Sequence, residues 1–145
     1  MKIQKNIEEV ILFQIDKTSK MAKQHSQKLV DERGMGITIE QWILLKIVHE
    51  NAPLSQKELA KKSLRDPASI TRTLDLLMKK DLLFREDIPG NRRSYNIRLS
   101  KEGESFVKEH MSFVQGLREN SVKGVSNKEL QFLSDILKKM QSNMT

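Results

Sequence analysis

The chain has 145 residues, of which 31% are charged and 5% aromatic, and its formal net charge is +7. It contains no cysteine, which excludes disulfides, cysteine-based zinc sites and thiol nucleophiles. The length suits one domain, and the low aromatic content favours a helical chain over a β-sandwich. Residues 1 to 9 lack the apolar segment of a secretory leader, and no apolar run approaches the ~20 residues of a membrane span. We therefore expect a cytoplasmic protein with no membrane partner.

Residues 4 to 32 predict one long amphipathic helix, since they lack proline and glycine and repeat apolar residues at intervals of three, four or seven. Gly34 and Gly36 are expected to end it, because glycine tolerates the left-handed backbone that follows a helix. A helix of about 28 residues spans roughly 40 Å, too long to be covered by a compact module of about 65 residues. Its apolar stripe either fills a monomeric core or pairs with a second chain, and the length favours pairing.

Three later segments begin with a capping box, in which a Ser or Thr hydroxyl and a Glu or Gln three residues later each satisfy a free backbone amide. These segments start at Thr38, Ser55 and Ser126 and predict the second, third and last helices. Asp66 followed by Pro67 predicts the start of the fourth helix, because the missing amide of proline is harmless at the first helical position.

One β-hairpin is predicted over residues 82 to 99, with its turn at residues 88 to 91. Tyr95, Ile97 and Leu99 alternate with polar residues, which is the pattern of a strand with one buried face. We therefore expect all three side chains to point inward. A fifth helix follows the hairpin.

The positive charge is concentrated in residues 55 to 101, which hold 12 lysines and arginines against six acidic residues. A basic surface confined to one module is typical of a polyanion partner, because cations that neutralise phosphates release condensed counterions. The order helix, helix, hairpin predicts a mainly α fold with a small β-hairpin wing, a winged helix-turn-helix that binds double-stranded DNA. Residues 38 to 100 would form this lobe, and residues 1 to 37 and 101 to 145 the dimerisation helices of a single intertwined domain.

The fourth helix is the predicted recognition helix. Ile70, Leu74 and Leu77 share one side and should face the core. The DNA contacts predicted for this helix are Ala68, Ser69, Thr71 and Arg72. Arg72 is the candidate for a bidentate contact with guanine. Alternatively, it is an ordinary solvated residue or the salt-bridge partner of Asp75.

Two further groups of residues are predicted to contact DNA. Asn91, Arg92 and Arg93 lie at the hairpin tip, where a narrow minor groove would attract the arginines, although adjacent arginines in a turn are more often only solvated. At the start of the third helix, the predicted phosphate contacts are Ser55, Gln56 and Lys57.

The ordered motifs are Thr38-x-x-Gln41-Trp42-x-x-Leu45, Ser55-x-x-Glu58-Leu59-Ala60, Asp66-Pro67-Ala68-Ser69-Ile70-Thr71-Arg72, Arg85-x-Asp87, Arg92-Arg93 and Leu99-Ser100-x-x-Gly103. This set resembles the multiple antibiotic resistance regulator (MarR) family, and the flanking helices are similar in position and length to that family's dimerisation elements. The resemblance implies a homodimeric winged-helix transcription factor, usually a repressor released from its operator by a small-molecule effector. It also implies that a wing arginine enters the minor groove.

Two positions depart from the family's pattern. Asn91 stands where the family usually has an aspartate, which is expected to weaken the salt bridge that orients the wing arginine. Residues 63 to 65 read Ser-Leu-Arg in the turn between the two DNA-binding helices, where many members have a glycine. That turn must form without the conformational freedom of glycine.

The resemblance further implies a ligand pocket between the dimerisation helices and the DNA-binding lobe. By position, its lining would be Met21, His25, Trp42 and Phe106. The competing interpretation is that these residues belong to the core, which is the commoner place for methionine and aromatic side chains at helical spacing.

We expect no enzyme, cofactor or metal site. His25, His49 and His110 lack motif context, and no glycine-rich phosphate loop or nucleophile elbow is present, although a site of one histidine with carboxylates stays open. The alternative function is a winged-helix module that binds protein or RNA without operator specificity. RNA recognition usually uses exposed aromatic side chains, whereas Tyr95 is expected to point inward.

Overall fold

The computed structural model describes residues 6 to 145 and confirms the predicted mainly α class with a small sheet. In chain order the elements are a 3-10 helix (Ile7–Glu9), α1 (Ile11–Arg33), α2 (Ile39–Asn51), β1 (Leu54–Ser55), α3 (Gln56–Ser63), α4 (Pro67–Lys79), β2 (Leu83–Ile88), β3 (Asn91–Leu99), α5 (Lys101–Ser121) and α6 (Asn127–Ser142). The chain divides into two compact units, Met1–Ser112 and Phe113–Thr145. In the described part of the chain, no helix is both long and apolar enough to cross a membrane.

The first long helix begins later than predicted. The prediction started at residue 4, and residues 1 to 5 lie outside the described part. The 3-10 helix comes first and α1 begins only at Ile11. Polar side chains fix this local break: Glu8 N–H donates to Asn6 Oδ1 (3.1 Å), and Gln14 Nε2 donates to the Glu8 carbonyl (2.8 Å). With 23 residues, α1 is roughly 34 Å long rather than 40 Å.

The predicted helix starts are confirmed. Thr38, Ser55 and Ser126 each form both hydrogen bonds of a capping box. The Asp66 side chain accepts a hydrogen bond from Ser69 N–H (2.9 Å), and the proline between them occupies the first turn of α4. A cap of this kind contributes about 1 kcal/mol, because it satisfies amides that the helix cannot.

Helices α1, α3 and α4 end with the same backbone motif, in which one residue takes the left-handed conformation. That residue is Gly34 after α1 (φ 73°), Leu64 after α3 (φ 57°) and Asp81 after α4 (φ 60°). After α3 the motif is closed by a hydrogen bond from Arg65 N–H to the Ala60 carbonyl (3.2 Å). The turn between the two helices therefore forms without glycine, with a leucine held in a conformation that only glycine adopts without strain.

We expect Leu64→Gly to raise the free energy of unfolding by about 0.5–1 kcal/mol. Relief of the left-handed strain, about 1–2 kcal/mol, exceeds the entropy that a glycine adds to the unfolded chain. Leu64 is 93% exposed, so its side chain contributes little packing. Urea unfolding measures the change, and Leu64→Ala is the matched control because it keeps the strained Cβ. A glycine variant no more stable than the alanine variant would refute the strain.

The three strands form an antiparallel sheet in the order β1-β3-β2. Strand β1, which the sequence did not predict, is only two residues long and pairs with Ile97 and Asn96 of β3. The hairpin turn is tighter than predicted, because β3 already begins at Asn91. Strands β2 and β3 pair regularly as far as Asp87 and Tyr95, and their register then shifts. Beyond β1, the hairpin is therefore a two-stranded wing.

The core of the winged lobe is almost entirely apolar. Its fully buried side chains include Trp42, Leu44, Leu45, Leu54, Leu59, Ile70, Leu74, Leu77 and Ile97. The inward position predicted for Tyr95 is wrong, since this side chain is 40% exposed. The alternating pattern implies burial only where the sheet has three strands, and β1 reaches no further than Asn96.

Candidate nucleic-acid interface

Helix α4 presents a polar face at the surface because its opposite face is fixed in the core. Ile70, Leu74 and Leu77 are completely buried, as predicted. Burial of this stripe sets the rotation of the helix about its axis. Among the predicted contact residues, Ala68, Thr71 and Arg72 are exposed and Ser69 is half-buried.

Arg72 does not form the salt bridge with Asp75 that the sequence offered as an alternative. Asp75 bonds Arg85 of β2 instead, with 3.2 Å between Oδ1 and Nη2. Over residues 6 to 145, no hydrogen bond or salt bridge engages the Arg72 guanidinium, which is exposed. Arg72 is thus a free bidentate donor on the surface of α4.

Two other predicted contact residues of α4 are held by internal hydrogen bonds. Ser69 Oγ accepts a hydrogen bond from Arg65 Nη2, which also donates to Thr73 Oγ1 (3.0 Å). Thr71 Oγ1 donates to a backbone carbonyl one turn earlier (3.0 Å) and accepts from Gln56 Nε2 (2.9 Å). These hydrogen bonds fasten α4 to the preceding turn and to α3. The Thr71 hydroxyl donates internally, whereas Ser69 Oγ is engaged as an acceptor.

The three residues predicted to contact phosphate lie together at the start of α3 but differ in what they offer. The Ser55 hydroxyl oxygen accepts from Glu58 N–H in the capping box (3.1 Å), which leaves its O–H as a donor. Gln56 is tied to α4 through Thr71. Lys57 is exposed, with no salt bridge among residues 6 to 145. Lys57 is therefore the free cation of this group.

The wing residues begin β3 rather than occupy the turn. Asn91, Arg92 and Arg93 are all exposed. Asn91 Oδ1 accepts a hydrogen bond from Arg93 N–H (3.1 Å). The asparagine therefore orders the start of the strand through the backbone, while it lacks the charge with which an aspartate would hold a guanidinium.

A cleft of about 620 Å³ lies between α3, α4 and the wing. Its lining joins five predicted contact residues to six others: Ser55, Gln56, Lys57, Thr71 and Arg93, with Ala60, Pro67, Ile70, Arg85, Ser94 and Tyr95. Three of these side chains are cationic, which suits an anionic chain laid across the opening. The sequence did not single out Arg85 or Tyr95 as contacts, since the strand pattern placed Tyr95 in the core and gave Arg85 no partner.

The four residues proposed to line a ligand pocket are only partly brought together. Trp42 is buried and its ring lies 6.4 Å from that of Phe106, between centroids. Phe106 in turn packs on His110 at 4.5 Å. Met21 and His25 are exposed on α1. Trp42 and Phe106 thus belong to an aromatic cluster, whereas the other two residues lie at the surface.

His110 is a buried side chain that packs on Phe106, and its position needs no catalytic or metal-binding role to explain it. Arg33 Nε donates to its Nδ1 at 3.2 Å. Burial lowers the pKa of His110 below its ordinary value; Glu109 opposes this shift and Arg33 adds to it. A neutral ring with an accepting Nδ1 is the form that this hydrogen bond requires. The described residues contain no cluster of three or more His, Cys, Asp or Glu side chains able to hold a metal ion.

Comparison with known proteins identifies the winged lobe. A model of the MarR family matches residues 37–95. The match covers the winged lobe, which is less than half of the chain, and shows what this lobe is similar to. Among the matched solved structures are MarR-family transcriptional regulators.

Three solved structures show how far the MarR likeness extends. The S. aureus MepR–DNA complex is 24% identical, with 92% of this chain and 98% of that chain covered and a TM-score of 0.81. A MarR/EmrR family transcriptional regulator from Acinetobacter sp. ADP1 is 18% identical, with 97% of this chain and 98% of that chain covered and a TM-score of 0.87. BpsR of Bordetella bronchiseptica, whose DNA binding is regulated by 6-hydroxynicotinic acid, is 18% identical. The match covers 96% of this chain and 98% of that chain, with a TM-score of 0.84. At these identities the likeness establishes a shared fold over nearly the whole chain.

Proposed function

We propose that this MarR-family chain is a sequence-specific regulator of transcription that binds double-stranded DNA as a homodimer. The observation that carries the proposal is the exposed Arg72 on α4, which has no partner within residues 6 to 145, beside a wing that exposes Arg92 and Arg93. This surface belongs to the part of the chain that holds nearly all the excess positive charge. A helix for the major groove and a basic ribbon for the minor groove are the two parts that such recognition needs. The MepR–DNA complex supports the proposal by its similar fold.

Dimerisation is supported by apolar side chains that the terminal helices leave exposed. On α6, Phe132 is 69% exposed and Leu133 50% exposed. On α1, Ile11 and Leu12 are likewise exposed. Large exposed apolar side chains grouped on one element favour an interface with a second copy, and a two-fold protein fits a pseudo-palindromic operator. Sedimentation of the purified chain tests this, and a monomer at micromolar concentration would count against it.

We extend the proposal to a repressor that a small-molecule effector releases from its operator. The support is BpsR, whose DNA binding is regulated by 6-hydroxynicotinic acid. Met21, His25, Trp42 and Phe106 remain the proposed ligand-site residues. A screen for small molecules that displace bound duplex tests the effector, and a reporter gene placed behind the selected operator distinguishes repression from activation.

We expect Arg93→Ala to weaken binding to operator and random duplexes alike. The guanidinium neutralises backbone charge without reading bases, so the slope of log affinity against log salt should fall in magnitude by about one. Fluorescence anisotropy across a salt series measures both quantities. Arg118→Ala is the matched control, because it removes the same charge from α5, outside the winged lobe. An unchanged slope for Arg93→Ala would speak against a wing contact.

The same titration separates the proposal from the alternative of an RNA- or protein-binding module. The exposure of Tyr95 removes one argument against RNA, because an exposed ring can stack on a base. A single-stranded RNA of matched length therefore belongs in the experiment. Tighter binding to the RNA than to every duplex would favour the alternative.

A further inference from the structure

Asp75 is an acidic residue on the exposed face of the proposed recognition helix, close to one turn beyond Arg72. A carboxylate in this position repels phosphate, so by charge alone it opposes the proposed function. Its partner is Arg85, on β2. The contact joins two elements, α4 and the wing, through residues that are ten positions apart in the chain.

Arg85 lies at the base of the wing. Its partner across the sheet is Ile97, which is completely buried and also pairs with β1. The Arg85 side chain lines the cleft that Arg93 and Thr71 share. The salt bridge therefore fastens the recognition helix to the anchored end of the wing, on the side where DNA would lie.

In the described residues, the hydrogen bonds of the wing tip (residues 88 to 93) stay within the hairpin. Strand β1 pairs only with Ile97 and Asn96, and the pairing of β2 with β3 becomes irregular after Asp87. A two-stranded ribbon is a weak structure by itself, so its direction is set where it leaves the sheet. Arg85 lies two residues before Asp87, close to the place where the ribbon leaves the three-stranded sheet.

We infer that Asp75 is a positioning residue which, through Arg85, holds the wing arginines at the correct distance from α4 for one duplex. This inference rests on the proposed DNA-binding function. It makes an acidic residue necessary on a surface where charge alone would exclude one. The two effects of removing Asp75 thus have opposite signs.

Asp75→Ala provides the test. Charge alone predicts tighter binding, because the variant loses a negative charge near the phosphates. Loss of positioning predicts binding weaker by about two- to fivefold, the range that a partly exposed ion pair contributes. We expect the weaker binding, with an unchanged salt slope and with the variant still folded at the temperature of the binding measurement. The probe is a duplex of about 30 base pairs recovered by selection from random sequence, long enough for two half-sites one turn apart.

Three further proteins complete the experiment: Glu86→Ala, Arg85→Ala and the double variant Asp75→Ala/Arg85→Ala. Glu86→Ala is the matched control: it also removes an acid and a salt bridge, to Arg98, but that bridge joins the two strands of the hairpin and not α4. Its binding should be unchanged or tighter. In an Arg85→Ala background, Asp75→Ala should no longer weaken binding, since the two residues act as a pair.

Asp75→Ala binding as tightly as the parent chain, or more tightly, would overturn the inference. Weakening of the same size in the Arg85→Ala background would also overturn it, because Asp75 would then act by another route. If the parent chain binds the selected duplex but these variants give either of those results, the inference fails and the proposed DNA-binding function is kept. A parent chain that binds no duplex removes the proposed function, and this inference with it.

Discussion

The Arg72→Ala variant should no longer distinguish the operator base at one position from other bases. Its preference for operator over random DNA should fall by about 1–3 kcal/mol. The physical reason is that Arg72 is exposed on α4 and engaged by no other side chain in residues 6 to 145. A free guanidinium can give two of its N–H donors to a guanine edge, whereas alanine can give none. The Thr71 hydroxyl already donates to a backbone carbonyl, and the single O–H of Ser69 cannot replace a bidentate donor.

Competition between the selected duplex and random duplex measures this discrimination. Lys79→Ala is the matched control, since it removes a cation from the last turn of the same helix. It should weaken both complexes together, if at all, by reducing general attraction to phosphate. Equal losses on both duplexes for Arg72→Ala would refute base readout at this position.

Gly103→Ala should destabilise the fold by about 3 kcal/mol or more, because a Cβ cannot be accommodated without moving backbone. A Cβ built on Gly103 would lie 2.0 Å from the Leu82 carbonyl oxygen. That carbonyl accepts a hydrogen bond from Ser100 N–H (3.1 Å), and Ser100 Oγ in turn bonds the Asp81 carbonyl and Gly103 N–H. The backbone just before β2 and the start of α5 are therefore locked together at this glycine.

Thermal and urea unfolding measure the loss, and Gly116→Ala is the matched control. Gly116 lies in the same helix, and a Cβ added there would meet no atom of residues 6 to 145 within 4 Å apart from the backbone of its own helix. There alanine should stabilise the protein by up to about 1 kcal/mol, through its higher helix propensity. Alanine has the same higher helix propensity at position 103, but the steric clash there costs more than this gain. The free energy of unfolding should therefore fall for Gly103→Ala. A Gly103→Ala protein as stable as the parent would show that the close approach is not rigid.

Local interactions made much of the fold predictable. The starts of α2, α3, α4 and α6 depend on side chains within three residues of the helix end. The buried stripe of α4 depends only on helical periodicity. The wing was predictable because a proline-glycine turn separates two strands of suitable composition, although the turn is shorter than expected.

Errors arose where a residue's environment depends on distant parts of the chain or on competing polar side chains. The exposure of Tyr95 depends on how far β1 extends along β3, and a two-residue strand has no pattern of its own. The late start of α1 depends on Asn6 and Gln14, polar side chains that compete with the helix for backbone groups. Neither feature has a periodicity from which it could be predicted.

The sequence by itself determined the helix starts, the face that α4 buries and the module that holds the charge, because caps, periodicity and net charge involve residues close together in the chain. Only the tertiary structure decided which of these charges are available. It paired Asp75 with Arg85, tied Gln56 to Thr71 and left Arg72 without a partner in the described part of the chain. Each choice depends on which side chains folding brings within hydrogen-bond distance, and sequence spacing does not contain that distance.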